Sequence, residues 1–339
     1  MKTDRLAPDA AGIARAAELL RDGGLVAFPT ETVYGLGARA DVSAAVRGIF
    51  AAKGRSPQNP LIVHVADVPA ARALAADWPP LADALARAFW PGALTIVCAL
   101  RADAVAEEVT AGGATVAVRV PAHPVALALL TACGLPIAAP SANRSTAISP
   151  TTAEHVLKTL DGRIDLVVDG GATGFGIEST IVDVTTAPAS ILRHGAISVA
   201  ELGAHGPVVD RGGATTPAGE LARAPGTSAR HYAPRASLVV VSQERLAPLL
   251  ADHRARGEKA GAILRRSDLA AAFASGAALD SSAPMEALPD EPAGYARELY
   301  AALHRLDDRG CDAILVAEVP VEPAWVAVRD RLRRASAAP

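Results

Sequence analysis

The 339 residues of this chain are more than one hydrophobic core usually organises, so we expect two domains. Hydrophobic residues make up 50% and charged residues 20%, as in ordinary globular proteins. The net charge of −3 argues against a protein that coats nucleic acid, and the aromatic content of 4% argues against a platform for stacking bases.

In the first part of the chain, predicted helices fall between short apolar strands. Asp9 can cap a helix over residues 13–22, and Asp41 can cap a second helix over residues 42–53, which ends at Gly54. We expect further helices near 68–76, 81–89 and 124–132 and after a capping box at 151–154, and strands at 25–29, 61–65, 95–100, 115–120, 166–169, 179–184 and 189–193. This order predicts a mixed, twisted sheet with helices packed on it.

The composition changes after Leu202. Residues 203–236 are rich in Gly, Pro, Thr and Ala. Their apolar residues follow neither the period of 2 of a strand nor the period of 3.6 of a helix, which predicts a long linker. Beyond it we expect strands at 237–241, 260–264 and 312–318, and helices near 243–256, 267–274, 293–309 and 323–334. This alternation predicts a smaller, Rossmann-like α/β domain with a parallel sheet. The predicted domains are therefore residues 1–202 and 237–339, joined by the linker.

Common nucleotide and metal signatures are missing from the sequence. It contains no GxxxxGK[ST] and no GxSxG motif, and its eight histidines lack metal-binding spacing, so we expect no metal held by the protein itself. Residues 35–40 resemble a dinucleotide fingerprint, but a polar turn precedes them and no acidic residue follows at the right distance.

The cellular setting is predicted from three further features. Cys98, Cys133 and Cys311 are far apart, which predicts reduced and mostly buried thiols. The first residues lack an apolar signal segment, and no stretch has the apolar length of a membrane span. We therefore expect a cytoplasmic protein without membrane contact.

One lysine lies in an unusually polar stretch. Lys53 is one of four lysines among 33 basic residues, and Arg55 follows two positions later. A compact ammonium beside a planar guanidinium suits a ligand that carries phosphates or carboxylates. A solvated basic turn at a helix end is the alternative for this segment.

Arg119 lies inside the apolar strand VAVRVP, where a charge is costly unless an anion pairs with it. An ion pair with Glu31 or Asp169 would satisfy it, and so would an anionic ligand. Further hydroxyls, amides, glycines and cations stand near strand ends, in the segments 28–37, 59–64, 140–145, 149–151, 174–180 and at Arg193. Together they favour one site for an anion.

These segments resemble the Sua5/YrdC/YciO family of threonylcarbamoyl-AMP synthases, in the longer Sua5 form. The family's K-x-R and S-x-N motifs match Lys53-Gly54-Arg55 and Ser141-Ala142-Asn143. PTETVYGLG, NPLIVH, PGALTIV, SPT and GIESTIVD match as well, and PGTSARHYAP resembles the linker signature. The resemblance covers nearly the whole chain and implies a YrdC-like catalytic domain followed by a Sua5 C-terminal domain.

The resemblance implies an enzyme that joins L-threonine, bicarbonate and ATP into L-threonylcarbamoyladenylate and pyrophosphate. A downstream transferase complex uses the product to make the t6A base of tRNAs that read ANN codons. Implied threonine contacts are Thr32, His64, Arg119, Ala139 and Ser179. Implied ATP contacts are Arg55, Asn59, Thr115, Ser141, Ser149, Arg193 and Tyr232, with Mg²⁺ carried on the phosphates.

On this resemblance we assign four catalytic residues. Lys53 and Arg55 would face the carbamate and phosphate charge, and Ser141 and Asn143 would orient the α-phosphate. Tyr232, in the linker, would close over the nucleotide. The chain departs from the family pattern at Thr146, where Gly is common, and at His194, where Pro is common.

Two alternatives remain open from the sequence. A double-stranded-RNA-binding protein would use a concave basic surface of the same domain and could contact tRNA directly. A carbamoyl transferase would adenylate carbamoyl phosphate, but such proteins usually carry additional modules that this sequence lacks. The C-terminal domain offers no polar constellation of its own, so its role is not predicted.

Overall fold

The chain divides into two compact units in the computed structural model. The first unit comprises Met1–Ser145 and Ser149–Ser228, and the second comprises Thr146–Ile148 and Ala229–Pro339. The division lies inside the predicted linker. The structure describes residues 2–213, 225, 231–274 and 283–337.

The first unit is a mixed α/β structure. Its described strands are β1 (Asp4–Leu6), β2 (Val26–Pro29), β3 (Tyr34–Arg39), β4 (Ile62–His64), β5 (Ala75–Asp77), β6 (Leu94–Leu100), β7 (Thr115–Arg119), β8 (Ile137–Ala138), β9 (Leu166–Val168), β10 (Thr180–Asp183), β11 (Ala189–Arg193) and β12 (Val208–Asp210). Its described helices are α1 (Ala10–Arg21), α2 (Ser43–Lys53), α3 (Val68–Arg72), α4 (Pro80–Phe89), α5 (Glu107–Thr110), α6 (Pro124–Cys133), α7 (Ala153–Leu160) and α8 (Val199–Gly203).

One sheet contains all twelve of these described strands. Its order is β1-β9-β2-β3-β8-β4-β7-β6-β10-β11-β12, with β5 paired to β6. Parallel pairs such as β4–β7 and β10–β6 alternate with antiparallel pairs such as β2–β3 and β6–β7. The prediction of a mixed sheet with helices is confirmed.

Local sequence explains where the first helices begin and end. Asp9 accepts a hydrogen bond from Gly12 N at 2.8 Å and so caps α1, as predicted. The predicted Asp41 cap of α2 is wrong, because Val42 is the N-cap and the Asp41 carboxylate pairs with Arg39 instead. Gly54 ends α2 with φ at 60°, a left-handed conformation that costs glycine little.

Two elements differ from the sequence prediction because sheet pairing overrides the local pattern. Residues 34–39 form a full strand that the sequence pattern did not predict. Gly37 is required there, since a Cβ atom would lie 2.8 Å from the Phe28 ring and 2.9 Å from Ile137. The helix predicted near 68–76 ends at Arg72, and Ala75–Asp77 pairs with the edge of β6.

The second unit is a smaller, parallel α/β structure. Its described elements are β13 (Ser237–Val241), α9 (Gln243–Ala255), β14 (Ala260–Arg265), α10 (Arg266–Ala274), β15 (Met285–Leu288), α11 (Pro292–Asp308), β16 (Ala313–Ala317), a 3₁₀ turn at Pro323–Trp325 and α12 (Val326–Ala335). The strand order is β13-β16-β14-β15, and every pair is parallel. The predicted Rossmann-like architecture is confirmed, although the sequence pattern missed β15.

The three cysteines are buried and form no disulfide, as predicted. None of the helices in the described part of the chain is long and apolar enough to cross a membrane.

Candidate active site

Two predicted threonine contacts stand side by side at the ends of neighbouring strands. His64 ends β4, Arg119 ends β7, and the parallel register places them opposite each other. Both are buried, with 3% of each residue exposed. Thr32 lies in the turn between β2 and β3, and its hydroxyl accepts a hydrogen bond from Arg119 Nη1 at 2.9 Å. Three segments distant in sequence therefore meet here.

The buried charge of Arg119 is balanced by Glu31. Nη2 of Arg119 lies 2.7 Å from Oε1 of Glu31, which matches one alternative from the sequence. Neither of these two atoms, however, meets the geometry of a hydrogen bond within the described residues. Nε of Arg119 donates to the carbonyl of Gly92 at 3.1 Å. The Gly92 carbonyl and the Thr32 hydroxyl thus hold the guanidinium through Nε and Nη1, while Nη2 faces the Glu31 carboxylate.

His64 is held as a neutral imidazole. Complete burial, together with the nearby positive charge of Arg119, lowers the pKa of His64 to about 3. Its Nδ1 atom is buried and makes no hydrogen bond among the described residues. A neutral ring nitrogen of this kind can serve a hydroxyl group of a ligand.

Ser179 joins the predicted threonine contacts to a predicted ATP contact. Its hydroxyl lies 2.8 Å from the Thr95 hydroxyl and accepts a hydrogen bond from Arg193 Nη2 at 3.1 Å. Arg193 Nε also donates to the Ser179 carbonyl at 3.0 Å. Ala139 is buried at the end of β8, where its N–H donates to the Ile62 carbonyl at 2.9 Å.

Lys53 connects the two short motifs directly. Its Nζ donates to the Ser141 carbonyl at 2.6 Å and to the Asn143 carbonyl, and lies 3.5 Å from the Asn143 side-chain oxygen. In return, Ser145 N donates to the Lys53 carbonyl at 2.8 Å. The ammonium is thus committed to the loop over residues 141–145. Its predicted contact with a carbamate stays a prediction.

Three cations lie within electrostatic reach of one another at the end of α2. Burial, followed by the charges of Arg55 and Arg144, holds the pKa of Lys53 well below its usual range. Arg55 Nη2 donates to the Pro60 carbonyl at 3.0 Å, which fixes the turn that carries Asn59. Oδ1 of Asn59 is buried without a hydrogen bond in the described structure. A polyanion would stabilise such a group of cations.

The remaining predicted ATP contacts of the first unit lie in two other places. Ser149 is fully buried, and its hydroxyl donates to the Glu178 carboxylate at 2.6 Å. Thr115 begins β7 and pairs with Ala99. Arg119 ends the same strand, so the two are about 13 Å apart along it.

Tyr232 belongs to the second unit, where it is buried with 1% exposure. Its ring stacks on Tyr300 with centroids 5.6 Å apart, and the guanidinium of Arg331 lies 5.3 Å from its centroid. Its φ of 63° is left-handed, which is unusual for a tyrosine. The predicted closure of Tyr232 over a nucleotide stays a prediction.

Sequence reasoning did not include Thr95, Arg144 and Glu178 among the site residues. Thr95 reads as an ordinary β-former in an apolar strand, so only its contact with Ser179 reveals it. Arg144 and Glu178 stand within matched motifs, and that position was the available signal. Over the described ranges, no group of three His, Cys, Asp or Glu side chains could hold a metal ion.

Comparisons with known proteins show the family of this chain. A family model described as "Telomere recombination", for Sua5, YciO and YrdC proteins, matches residues 18–195. A second model, for the C-terminal domain of threonylcarbamoyl-AMP synthase, matches residues 197–337. The chain belongs to the Sua5/YrdC/YciO family. The second match identifies the longer, two-domain Sua5 form of that family.

Full-length members of the Sua5/YrdC/YciO family are similar across both units. The threonylcarbamoyl-AMP synthase of Bacillus subtilis is 43% identical and aligns over 98% of this chain and 95% of its own length. The Pyrococcus abyssi enzyme is 40% identical over 95% and 93% of the two chains. The crystal structure of Pyrococcus abyssi Sua5 complexed with L-threonine superposes with a TM-score of 0.89 at 38% identity, covering 99% of this chain and 98% of that one.

Proposed function

We propose that this chain is an L-threonylcarbamoyladenylate synthase, a nucleotidyltransferase that converts L-threonine, bicarbonate and ATP into L-threonylcarbamoyl-AMP and pyrophosphate. Full-length similarity to enzymes of that name supports the activity. The observation that carries the proposal is structural: the predicted threonine contacts Arg119 and His64 stand side by side at strand ends. Ser179, a further predicted threonine contact, accepts a hydrogen bond from Arg193, a predicted ATP contact.

In this proposal, Arg119 binds the threonine carboxylate. Two of the five N–H groups of a guanidinium are used by Gly92 and Thr32, which leaves donors for a planar anion. His64 is neutral and offers Nδ1 to the threonine hydroxyl. The Thr32 and Ser179 hydroxyls and the buried Ala139 complete the contacts. The L-threonine complex of the Pyrococcus abyssi relative supports the choice of amino acid.

ATP would bind across the cations at the end of α2. Arg55, Asn59, Thr115, Ser141, Ser149, Arg193 and Tyr232 are the contacts that we propose for it. Burial, followed by the charges of Arg55 and Arg144, lowers the pKa of Lys53, and the negative charge of a phosphate would offset the repulsion among these cations. We expect Mg²⁺ to arrive on the phosphates as part of the nucleotide, since the described side chains do not form a metal-ligand set of their own.

The reaction follows from bringing these two ligands together. A carbamate formed from threonine and bicarbonate directs an oxygen at the α-phosphorus, the new P–O bond forms, and pyrophosphate leaves. Positioning and charge stabilisation carry most of such a transfer. Arg55 would stabilise the phosphate charge, and Asn143 and Ser141 would orient the α-phosphate. Lys53 contributes by holding their loop.

The test is a pyrophosphate-release assay on the purified chain. Release should require threonine, bicarbonate and ATP together, and the nucleotide product should have the mass of L-threonylcarbamoyl-AMP. Pyrophosphate release that is independent of threonine, or that uses carbamoyl phosphate in place of bicarbonate, would contradict the proposal and favour the carbamoyl transferase.

We further propose that the product serves t6A synthesis on tRNAs that read ANN codons, through a separate transferase complex in the cytoplasm. The double-stranded-RNA-binding alternative receives no support from the Bacillus subtilis and Pyrococcus abyssi relatives, both of which are named threonylcarbamoyl-AMP synthases. Direct tRNA contact would be tested by the salt dependence of RNA affinity, which is steep when many phosphates are neutralised.

A further inference from the structure

Glu31 occupies a rigid place next to the proposed threonine contacts. It lies in the turn that joins β2 and β3, where the Thr30 hydroxyl donates to the Val33 carbonyl at 2.7 Å. Its own carbonyl accepts a hydrogen bond from Phe175 N at 2.7 Å. One carboxylate oxygen accepts from Ala122 N at 3.0 Å. The turn therefore holds the Glu31 backbone, and Ala122 N holds one oxygen of its carboxylate.

The second carboxylate oxygen of Glu31 faces Arg119. Oε1 is buried, lies 2.7 Å from Arg119 Nη2 and makes no well-angled hydrogen bond in the described part of the chain. A buried carboxylate oxygen left in this state is costly, and so is the facing donor. Such a pair is suited to ligand groups that complete the hydrogen bonds of both partners.

An amino acid supplies both groups. At neutral pH, threonine carries a carboxylate and an ammonium on one carbon atom, and the Arg119–Glu31 pair presents the complementary charges at a similar spacing. The ammonium must lose a proton before its nitrogen can attack, because a protonated amine has no free electron pair. Glu31 is the carboxylate next to the proposed carboxylate contact.

We propose that Glu31 is a catalytic residue that binds the threonine ammonium and accepts its proton for carbamate formation, an inference that rests on the proposed function. One N–H proton passes to Glu31, and the freed electron pair forms the N–C bond at the bicarbonate carbon. The C–OH bond of bicarbonate breaks, and the hydroxyl leaves as water with the proton returned by Glu31. The second nitrogen proton passes to solvent, which leaves the carbamate anion.

The charges around Glu31 fit this role. Burial acts to raise the pKa of Glu31, but the charge of Arg119 and its contact outweigh burial and lower it. When a threonine carboxylate binds Arg119, it partly neutralises the Arg119 charge that lowers the Glu31 pKa. The effect of burial, which raises the Glu31 pKa, then dominates, so the Glu31 carboxylate becomes a better base. The charge of Glu31 also acts on His123, whose pKa is lowered by burial.

The reverse reaction separates this role from a structural one. With L-threonylcarbamoyl-AMP and pyrophosphate as substrates, the enzyme forms ATP and the carbamate, and this step requires no deprotonation of an amine. In Glu31→Gln we expect the forward rate to fall by about a hundredfold, while the reverse rate falls far less. Glu154→Gln, which removes an exposed carboxylate paired with Arg5, is the matched control and should preserve both rates.

Equal losses in both directions would overturn the proposal, because they would mean that Glu31 only positions Arg119. Full forward activity of Glu31→Gln would overturn it as well. If the wild-type chain itself formed neither product, the proposed function would fail and not only this inference.

Chemical rescue gives a second measurement that does not depend on the glutamine variant. In Glu31→Ala, added formate should restore part of the forward rate, while chloride at the same ionic strength should not. Variants are first compared with the wild type by thermal unfolding, so that only folded protein is assayed. A folded Glu31→Ala with an intact reverse reaction and no formate rescue would count against Glu31 as the base.

Discussion

Lys53 Nζ lies 2.6 Å from the Ser141 carbonyl oxygen, so the lysine at the end of α2 holds the loop that carries the second short motif. Its ammonium donates hydrogen bonds to backbone oxygens of that loop. The two motifs are therefore joined directly: the Lys53 ammonium helps to hold the S-x-N loop, together with the hydrogen bond from Ala142 N to the Tyr34 carbonyl at 2.8 Å.

Replacing Lys53 tests this unit. In Lys53→Met the loop loses charge-assisted hydrogen bonds of about 1.5–3 kcal/mol each, and we expect pyrophosphate release to fall about tenfold or more. Lys53→Arg should be impaired too, because a wider guanidinium does not fit a site that is 2% exposed. Lys158→Met, at an exposed position of α7, is the control. Full activity of Lys53→Arg would refute this account.

Arg119→Lys should weaken threonine binding selectively. A lysine keeps the charge but loses the planar fork that binds a carboxylate through two hydrogen bonds. We expect the KM for threonine to rise by about ten- to a hundredfold, with little change in the KM for ATP. Steady-state assays with each substrate varied in turn measure both constants. An unchanged KM for threonine would remove Arg119 from the threonine site.

Ser179→Ala should affect both substrates together. The Ser179 hydroxyl contacts Thr95 and accepts from Arg193, so its loss disturbs the proposed threonine contact and the proposed ATP contact at once. We expect both KM values to rise. Thr95→Val removes the hydroxyl contact between Thr95 and Ser179 but keeps the hydrogen bond from Arg193 to Ser179. It should therefore leave the KM for ATP nearly unchanged. Identical effects of the two substitutions would show that Ser179 does not couple the substrates.

Acid stability should report the neutral state of His64. Its pKa is lowered to about 3 in the folded protein, so between pH 6.5 and 3 the unfolded chain binds a proton that the folded protein does not. Above pH 6.5 this group therefore does not change the free energy of unfolding. Between pH 6.5 and about pH 3, the free energy of unfolding falls by about 1.4 kcal/mol for each pH unit of acidification. His64→Gln should flatten this slope in urea titrations, whereas His205→Gln, at an exposed position, should not.

Gly37→Ala should destabilise the first unit. The added Cβ would meet the Phe28 ring at 2.8 Å and Ile137 at 2.9 Å, and overpacking of this kind costs about 1–3 kcal/mol. Gly203→Ala, at the end of α8, is the control, since its Cβ would lie 3.8 Å from Val208. Urea unfolding of both variants measures the difference. An equal free energy of unfolding for the two variants would mean that Phe28 in β2 and Ile137 in β8 shift enough to accommodate the added methyl group.

The periodic patterns predicted the mixed sheet, the parallel second unit and most helices. They could do so because a helix or strand that buries one face carries apolar residues at regular spacing in the sequence. β3 was missed since Gly35 and Gly37 lack the side chains that make a strand readable. The Asp41 cap was wrong because Arg39 competes for the same carboxylate, which only the folded chain decides.

Motif resemblance named the segments of the candidate site, but the contacts of their side chains could not be predicted from it. Lys53 and Arg55 are two residues apart in every chain that carries the motif, but the direction of an ammonium depends on which backbone oxygens the fold brings within reach. Glu31 was foreseen as a partner of Arg119, yet its unsatisfied oxygen could not be read from residue order. Thr95 and Ser179 meet only because β6 and β10 are neighbours.

The pairing at the edge of the large sheet determines how late in synthesis the first strand finds its partner. β1 pairs with β9, and the Thr3 hydroxyl donates to the Ile164 carbonyl across a sequence separation of 161 residues. Ser179 and Arg193 follow later still, so the ribosome has released most of the first unit before the substrate contacts can assemble. Contacts of such long range slow folding and leave the early strands without partners during synthesis. Truncated products that end before β9 are therefore expected to aggregate rather than to bind either substrate.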